Sequence, residues 1–181
     1  GDWLPPWGQG EHADVLFQRL PRKDMGQGVN FCGETGSSFQ DVVSVEFCGE
    51  GNGLVVSPES INSELKVRTA LDGGYFPRYE LSAGVGKDLK VFRSRDEAKC
   101  LCFRVRTKYD DKGKVVEAFY GKIYGDIAMG WSYQGVSSVS FLYYFNPTPN
   151  DRNLEWDRKN NLCDKPGKLE ISINHTPMLL P

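Results

Sequence analysis

The sequence predicts an all-β, mostly antiparallel chain, folded as a two-sheet, jelly-roll-like sandwich with at most one or two short helices. Three observations predict it. Apolar side chains alternate with period two over several stretches, the pattern of a strand with one buried face. Glycine, proline or aspartate punctuates nearly every gap between those stretches. No long helical pattern intervenes, which favours a sandwich or barrel over an α/β fold.

The elements follow in order. Residues 1–12 read as a loosely ordered leading segment of a single domain spanning 1–181. Short strands are expected over Val15–Leu20, Val42–Cys48, Leu54–Ser57, Leu65–Ala70 and Leu89–Arg93. Pro58-Glu59-Ser60 is the one candidate helical turn, since Ser57 can cap it and proline suits the first position. From 99 to 109 the chain reads KCLCFRVRTKY, with Leu101, Phe103, Val105, Thr107 and Tyr109 on one face. Cys100, Cys102, Arg104, Arg106 and Lys108 share the other, expected to be wet. Asp110 to Lys114, with Gly113, forms a hairpin turn. The return strand Val115–Ile127 places Phe119, Ile123 and Ile127 inward, with Gly121 and Gly125 marking close packing or a bulge. Ser137–Phe145 turns Val139, Phe141, Tyr143 and Phe145 to one side. A last strand, Lys168–Thr176, points Leu169, Ile171, Ile173 and His175 inward.

Composition narrows the function classes. Lysine plus arginine number 22 and aspartate plus glutamate 24, for a net charge of −2, with no basic block. That argues against nucleic-acid binding. No apolar run approaches the ~20 residues of a membrane helix. The opening Gly1-Asp2-Trp3, with no methionine, reads as a mature or trimmed start, and Trp3-Leu4-Pro5-Pro6-Trp7 as the entry that follows a removed segment. That start does not itself report export; an extracytoplasmic protein (periplasmic, cell-surface or secreted) is the expectation from the sandwich reading and the tyrosine and tryptophan content.

Five cysteines show no CxxC spacing, and with two histidines a structural zinc site is disfavoured. Cys32 and Cys48 are the disulfide candidate. Cys100 and Cys102 sit ~7 Å apart along one strand face, poor geometry for a bridge. Free cysteines acting as small apolar side chains are the alternative throughout.

Three surfaces are candidate binding sites. Asn150, Asp151, Asn153 and Asp157 are oxygen donors dense enough for calcium, or they form a loop in which Asn and Asp bond their own backbone; the loop is preferred. Arg152, Trp156 and Arg158 in the same segment form a recognition surface, or else cover a sheet edge. Tyr120, Tyr124 and Tyr144 lie opposite the apolar rows. They form either an exposed platform for stacking on sugars or half-buried phenols beneath loops. Arg104, Arg106 and Lys108 make a basic stripe for an acidic partner, or a solvated face balanced across the sheet.

Catalysis has little support. His12 lies near the chain start and His175 on an apolar face. Gly84-Val85-Gly86-Lys87 lacks the spacing and hydroxyl of a phosphate loop. Pairs such as Glu46 with Glu50 or Glu155 with Asp157 occur in any acidic chain, and the Asn174-His175-Thr176 sequon is a short chance-prone pattern. The sequence thus leads to a non-catalytic extracytoplasmic binding module, partnered by a glycan or surface protein and using no cofactor unless calcium. The alternative is a structural head domain of a surface-appendage or secretion-apparatus subunit, pilin-like or adhesin-like. A hydrolase acting on glycans stands third.

Overall fold

A computed structural model describes residues 13–58, 67–132 and 135–155. In chain order the strands are β1 (Val15–Arg19), β2 (Lys23–Val29), β3 (Thr35–Phe47), β4 (Gly53–Val56), β5 (Arg78–Val85), β6 (Val91–Arg93), β7 (Cys100–Tyr109), β8 (Val115–Ser132) and β9 (Gly135–Asn146). They form two antiparallel sheets, and the described residues contain no helix. In the first sheet the long β3 is the spine. β1 pairs with Val43–Phe47 and β2 with Thr35–Gln40 along one side. β5 pairs along the other side, with β6 outside it. The second sheet runs β4-β7-β8-β9, and its last three strands are an up-and-down meander.

The alternating faces read from the sequence meet between the sheets. Val43, Val45 and Phe47 of β3 and Leu81 and Ala83 of β5 pack against Leu101, Phe103, Val105, Ile123 and Ile127. Phe119, Val139, Phe141, Tyr143 and Phe145 close the rim. Aromatic rings bridge the layers: Phe47 lies 6.4 Å from Phe103, and Phe17 lies 5.6 Å from Phe141, both at stacking separations. Gly121 is required here, because a Cβ at that position would stand 2.1 Å from the Phe103 ring. The Asp110–Lys114 hairpin forms as expected.

The second face of β7 departs from expectation. Cys100 and Cys102 are buried, not wet. They belong to a smaller core with Val67, Ala70, Ala118, Tyr120 and Leu154. The cover comes from two loop segments folded back over the sheet. They are stitched together by Ala70 N–H to Arg152 C=O at 2.8 Å and Leu154 N–H to Arg68 C=O at 2.8 Å. The first segment reads in the sequence as a short strand and the second as a turn-rich loop, and neither pattern says that they fold back over this face.

Other boundaries differ for local reasons. β2 and β5 were not foreseen. β2 (KDMGQGV) has two glycines and no alternation, whereas Tyr79, Leu81, Ala83 and Val85 of β5 do alternate. Of the expected strand Leu65–Ala70, residues 67–70 contain only an isolated bridge from Thr69 to Asn153. β6 begins at Val91 because Leu89 is held in a turn at φ +58°. β8 runs on to Ser132 past a bulge where Gly125 and Asp126 both take positive φ. Glu59 and Ser60 of the helical candidate and the strand Lys168–Thr176 lie outside the described residues, as do residues 1–12.

Candidate functional site

Among the described residues, those nominated from the sequence do not assemble into an open site. Tyr120 and Tyr144 are only 7% and 8% exposed, and Tyr124 is half-buried, so the proposed sugar platform is interior. Between them Lys122, also buried, places its ammonium 5.1 Å from the Tyr144 ring. It donates to the Val67 carbonyl at 3.4 Å. Tyr75 lies over this core, and burial pushes its phenol well above the usual tyrosine range.

The basic stripe is split by a bulge. Arg104 donates to the Gly51 carbonyl at 2.7 Å and covers the Tyr75 ring. Arg106, at φ +54°, swings toward the other face, where it covers Phe119 and Phe145 and pairs with Asp14 at 2.7 Å. Lys108 pairs with Glu117 at 2.7 Å. Arg152 is taken up by Asp72 and the Ala70 carbonyl, which makes it a fastener of the cover rather than a recognition residue.

The calcium candidates spend their oxygens locally. Asn150 accepts from Ala118 N–H at 3.0 Å and donates to the Val116 carbonyl, tying the loop to β8. Asp151 accepts from Asn153 N–H at 2.9 Å, and that bond holds its carboxyl below the usual range. Asn153 in turn accepts from Glu155 N–H at 2.9 Å. Asp157, Trp156, Arg158, His12 and His175 lie outside the described residues. The Cys32–Cys48 bridge is corrected: both thiols are free and exposed. They flank opposite ends of β3, whose 13 residues span ~40 Å at about 3.3 Å each, far beyond disulfide reach.

A different site emerges at the end of the first sheet, built from two hairpins. The β2–β3 turn is Asn30-Phe31-Cys32-Gly33-Glu34. Asn30 N–H donates to Glu34 C=O at 3.0 Å and Gly33 N–H to Asn30 C=O at 3.0 Å. The Asn30 side-chain oxygen accepts from Cys32 N–H at 2.9 Å and Glu34 N–H at 3.0 Å, and its amide donates to Glu34 at 2.6 Å. Gly33 supplies the left-handed residue at φ +81°. The β7–β8 turn repeats this wiring. Asp110 N–H donates to Lys114 C=O at 2.9 Å, and the Asp110 carboxylate accepts from Lys112 N–H and Lys114 N–H at 2.9 Å. Gly113 sits at φ +75°.

These twin turns isolate what is unusual in the first. Where the second turn has Asp111, a residue suited to water, the first has Phe31, which is 97% exposed. The wiring does not need an aromatic ring there, since its donors and acceptors belong to Asn30, Cys32, Gly33 and Glu34.

The β5–β6 turn is a third relative. Gly86 N–H donates to Lys90 C=O at 2.8 Å and Leu89 N–H to Gly86 C=O at 3.0 Å. Leu89 occupies the glycine position, at φ +58°. A branched aliphatic residue pays roughly 1–2 kcal/mol there. Its side chain lies on Gly28 and Gly36, cross-strand neighbours in β2 and β3. A Cβ on Gly28 would come within 2.7 Å of it. Val29 N–H donates to the Lys87 carbonyl at 2.7 Å, completing the lock between the hairpins. Val29 and Val91 are also exposed, at 53% and 56%, as are Glu34 of the first turn and Lys87, Asp88 and Lys90 of the β5–β6 turn. A lysine backbone N–H, that of Lys90, holds the Asp88 carboxyl below the usual range.

The sequence reading missed Phe31, Val29 and Leu89. The repeated Asx-x-x-Gly-x pattern at 30–34 and 110–114 was the available signal. No family model matches the chain, no curated protein is similar to it, and no solved structure matches it.

Proposed function

We propose that the protein is a non-catalytic binding module that docks on a partner protein through the two-hairpin end, with Phe31 as the anchor. The observation that carries this is the pair of twin turns: one ends in water with aspartate, the other with an almost fully exposed phenylalanine on an equally rigid frame. Binding a preformed aromatic loses little conformational entropy, and such residues dominate interface energies. A ring of ~200 Å² removed from water contributes ~5 kcal/mol of transfer free energy. The same two hairpins expose charged groups of both signs together with the apolar Phe31, Val29 and Val91, a composition suited to a protein interface with a polar rim and an apolar core.

The chemistry favours a protein pocket over a sugar. A glycan site needs hydrogen-bonding groups oriented beside the stacking ring, and the residue next to Phe31 offers none. Here the Asn30 side chain is consumed by the turn, its oxygen holding two backbone N–H groups and its amide one carboxylate oxygen. The tyrosines that suggested sugar stacking lie inside the fold.

The test is site-specific photocross-linking. Benzoylphenylalanine is placed at 31 or, as control, at 111, and exposed to native-source extract. The expected result is one protein adduct at 31 and none at 111, abolished by excess unlabelled wild type but not by excess Phe31→Ser. Equal adducts at both positions, or competition by the Phe31→Ser protein, would refute the reading.

A further inference from the structure

One flank of the sandwich carries a second feature, independent of the hairpin end. β7 stops pairing with β8 at Cys100–Tyr124. Beyond the Gly125–Asp126 bulge, β8 continues with β9 as its neighbour, and β6 opposite is only three residues long. Both sheets therefore end early on this side. The gap leaves a cavity of about 30 Å³ between β5, β6 and β8. Its apolar floor is Leu81, Ala83, Ile127 and Met129, and its rim includes Arg93 and Ser94.

The walls are fixed. Ser94 N–H donates to Ser82 C=O at 2.8 Å, and Ser82 N–H to the Ser94 hydroxyl oxygen at 2.8 Å. Asp96 N–H donates to the buried Asp126 carboxylate at 3.1 Å, and Tyr79 reaches the same carboxylate at 3.2 Å. Gly125 N–H donates to Lys99 C=O at 3.1 Å, closing the far end of the loop.

Arg93 stands apart from every other described arginine. Arg19 and Arg22 share Asp41, Arg68 pairs with Glu155, and Arg78 with Glu46 and Glu80. Arg95 pairs with Glu97, Arg106 with Asp14 and Arg152 with Asp72, while Arg104 has the Gly51 carbonyl. Among the described residues Arg93 alone has no acceptor. It lies directly across from Ala83 in the β5–β6 pair, so the two share a face, the one that lines the cavity.

We infer that this flank cavity binds a small monocarboxylate bearing a short apolar group. The Arg93 fork takes the two carboxylate oxygens in a planar bidentate pair. The Ser94 hydroxyl, which accepts from Ser82 N–H, keeps its own hydrogen to donate. The apolar group lies on Leu81, Ile127 and Met129. A volume of about 30 Å³ holds about two waters, which limits the buried part to one or two carbons. Phosphate is disfavoured because its second charge would face an apolar floor with a single unengaged guanidinium.

The experiment is a titration of the methyl-labelled protein with formate, propionate and hexanoate at matched ionic strength, read by the methyl resonances of Leu81, Ile127 and Met129. The expected result is saturable shifts at those methyls, with propionate at least threefold tighter than formate and hexanoate no tighter than propionate. Arg93→Gln should weaken propionate at least tenfold, and Arg93→Lys by an intermediate factor, with unchanged dichroism. Phe31→Ser should bind propionate like wild type, which separates this site from the docking reading. Non-saturable shifts shared by chloride, or an Arg93→Gln protein that binds like wild type, would overturn the proposal.

Discussion

Gly28→Ala is the substitution that most sharply links the lock between the hairpins to the anchor they carry. Gly28 does not need positive φ, so alanine is allowed by its backbone and the cost is one of space. The new Cβ would stand 2.6 Å from the Lys87 carbonyl oxygen and 2.7 Å from a Leu89 methyl. Ordinary contact begins near 3.4 Å, so the β5–β6 turn must retreat by roughly 0.8 Å. The Val29 N–H to Lys87 C=O bond, 2.7 Å in the wild type, then lengthens beyond a useful hydrogen bond. Its loss costs about 0.5–1.5 kcal/mol and the overpacking about 1–3 kcal/mol, together about 1.5–4.5 kcal/mol. The penalty is local, because the turn can open without unfolding the sheets. Amide hydrogen exchange at Val29 should therefore accelerate by about 10-fold to about 2,000-fold. Exchange at Val45, in the centre of β3, should change less than threefold. Gly36→Ala is the control. Its Cβ meets only flexible Leu89 carbons at 3.3 Å, so Val29 exchange should rise by less than tenfold. Equal acceleration in the two variants, or none in Gly28→Ala, would refute the lock.

Three further outcomes follow from the same geometry. Asp126→Asn should destabilise the protein by about 2–3 kcal/mol, lowering Tm by about 4–12 °C, because an amide turns a donor toward Ile127 N–H or Asp96 N–H where a carboxylate accepts both; an unchanged Tm contradicts it. The phenols of Tyr75 and Tyr79 are pushed up by burial, with Asp126 adding to the shift at Tyr79, so the unfolded chain loses those protons first. Stability is then intact below about pH 10 and falls as pH rises, at no more than about 1.4 kcal/mol per pH unit for each phenol and less where solvent screens these half-buried groups; absorbance titration at alkaline pH should show them ionising only as the fold melts. Cys32 and Cys48 should react with a thiol reagent in the native protein, and Cys100 and Cys102 only on denaturation.

The meander β7–β8–β9 was legible because its inner rows, Leu101, Phe103 and Val105, then Phe119, Ile123 and Ile127, then Val139 to Phe145, fall on alternate positions. The outer face of the same sheet was not. Period two reports that one face is buried and is silent about a second burial by a returning loop. Val67, Ala70 and Leu154 are isolated apolar residues in polar segments, and only the fold brings them onto Cys102 and Tyr120. The bulge at Arg106 likewise flips the side-chain alternation without a glycine to announce it, whereas the one at Gly125 and Asp126 is marked by its glycine and leaves Ile127 and Met129 on the inner face. β5 is a different case, since its alternating Tyr79, Leu81, Ala83 and Val85 stood in the sequence and went unread. The hairpin end lies between these extremes. The turn chemistry of Asn30 and Gly33 is readable, but the exposure of Phe31 follows from the three-dimensional direction of the hairpin and from Leu89 crossing over to hold it.

The most direct measurement uses fluorine. A fluorinated phenylalanine at position 31, another at Phe103, and a soluble paramagnetic agent report how far each ring stands in water. The free protein should show strong relaxation at 31 and almost none at 103, and addition of the cross-linked partner, once purified, should quench the relaxation at 31 alone. A ring at 31 already shielded in the free monomer, or equally wet in the complex, would contradict the account.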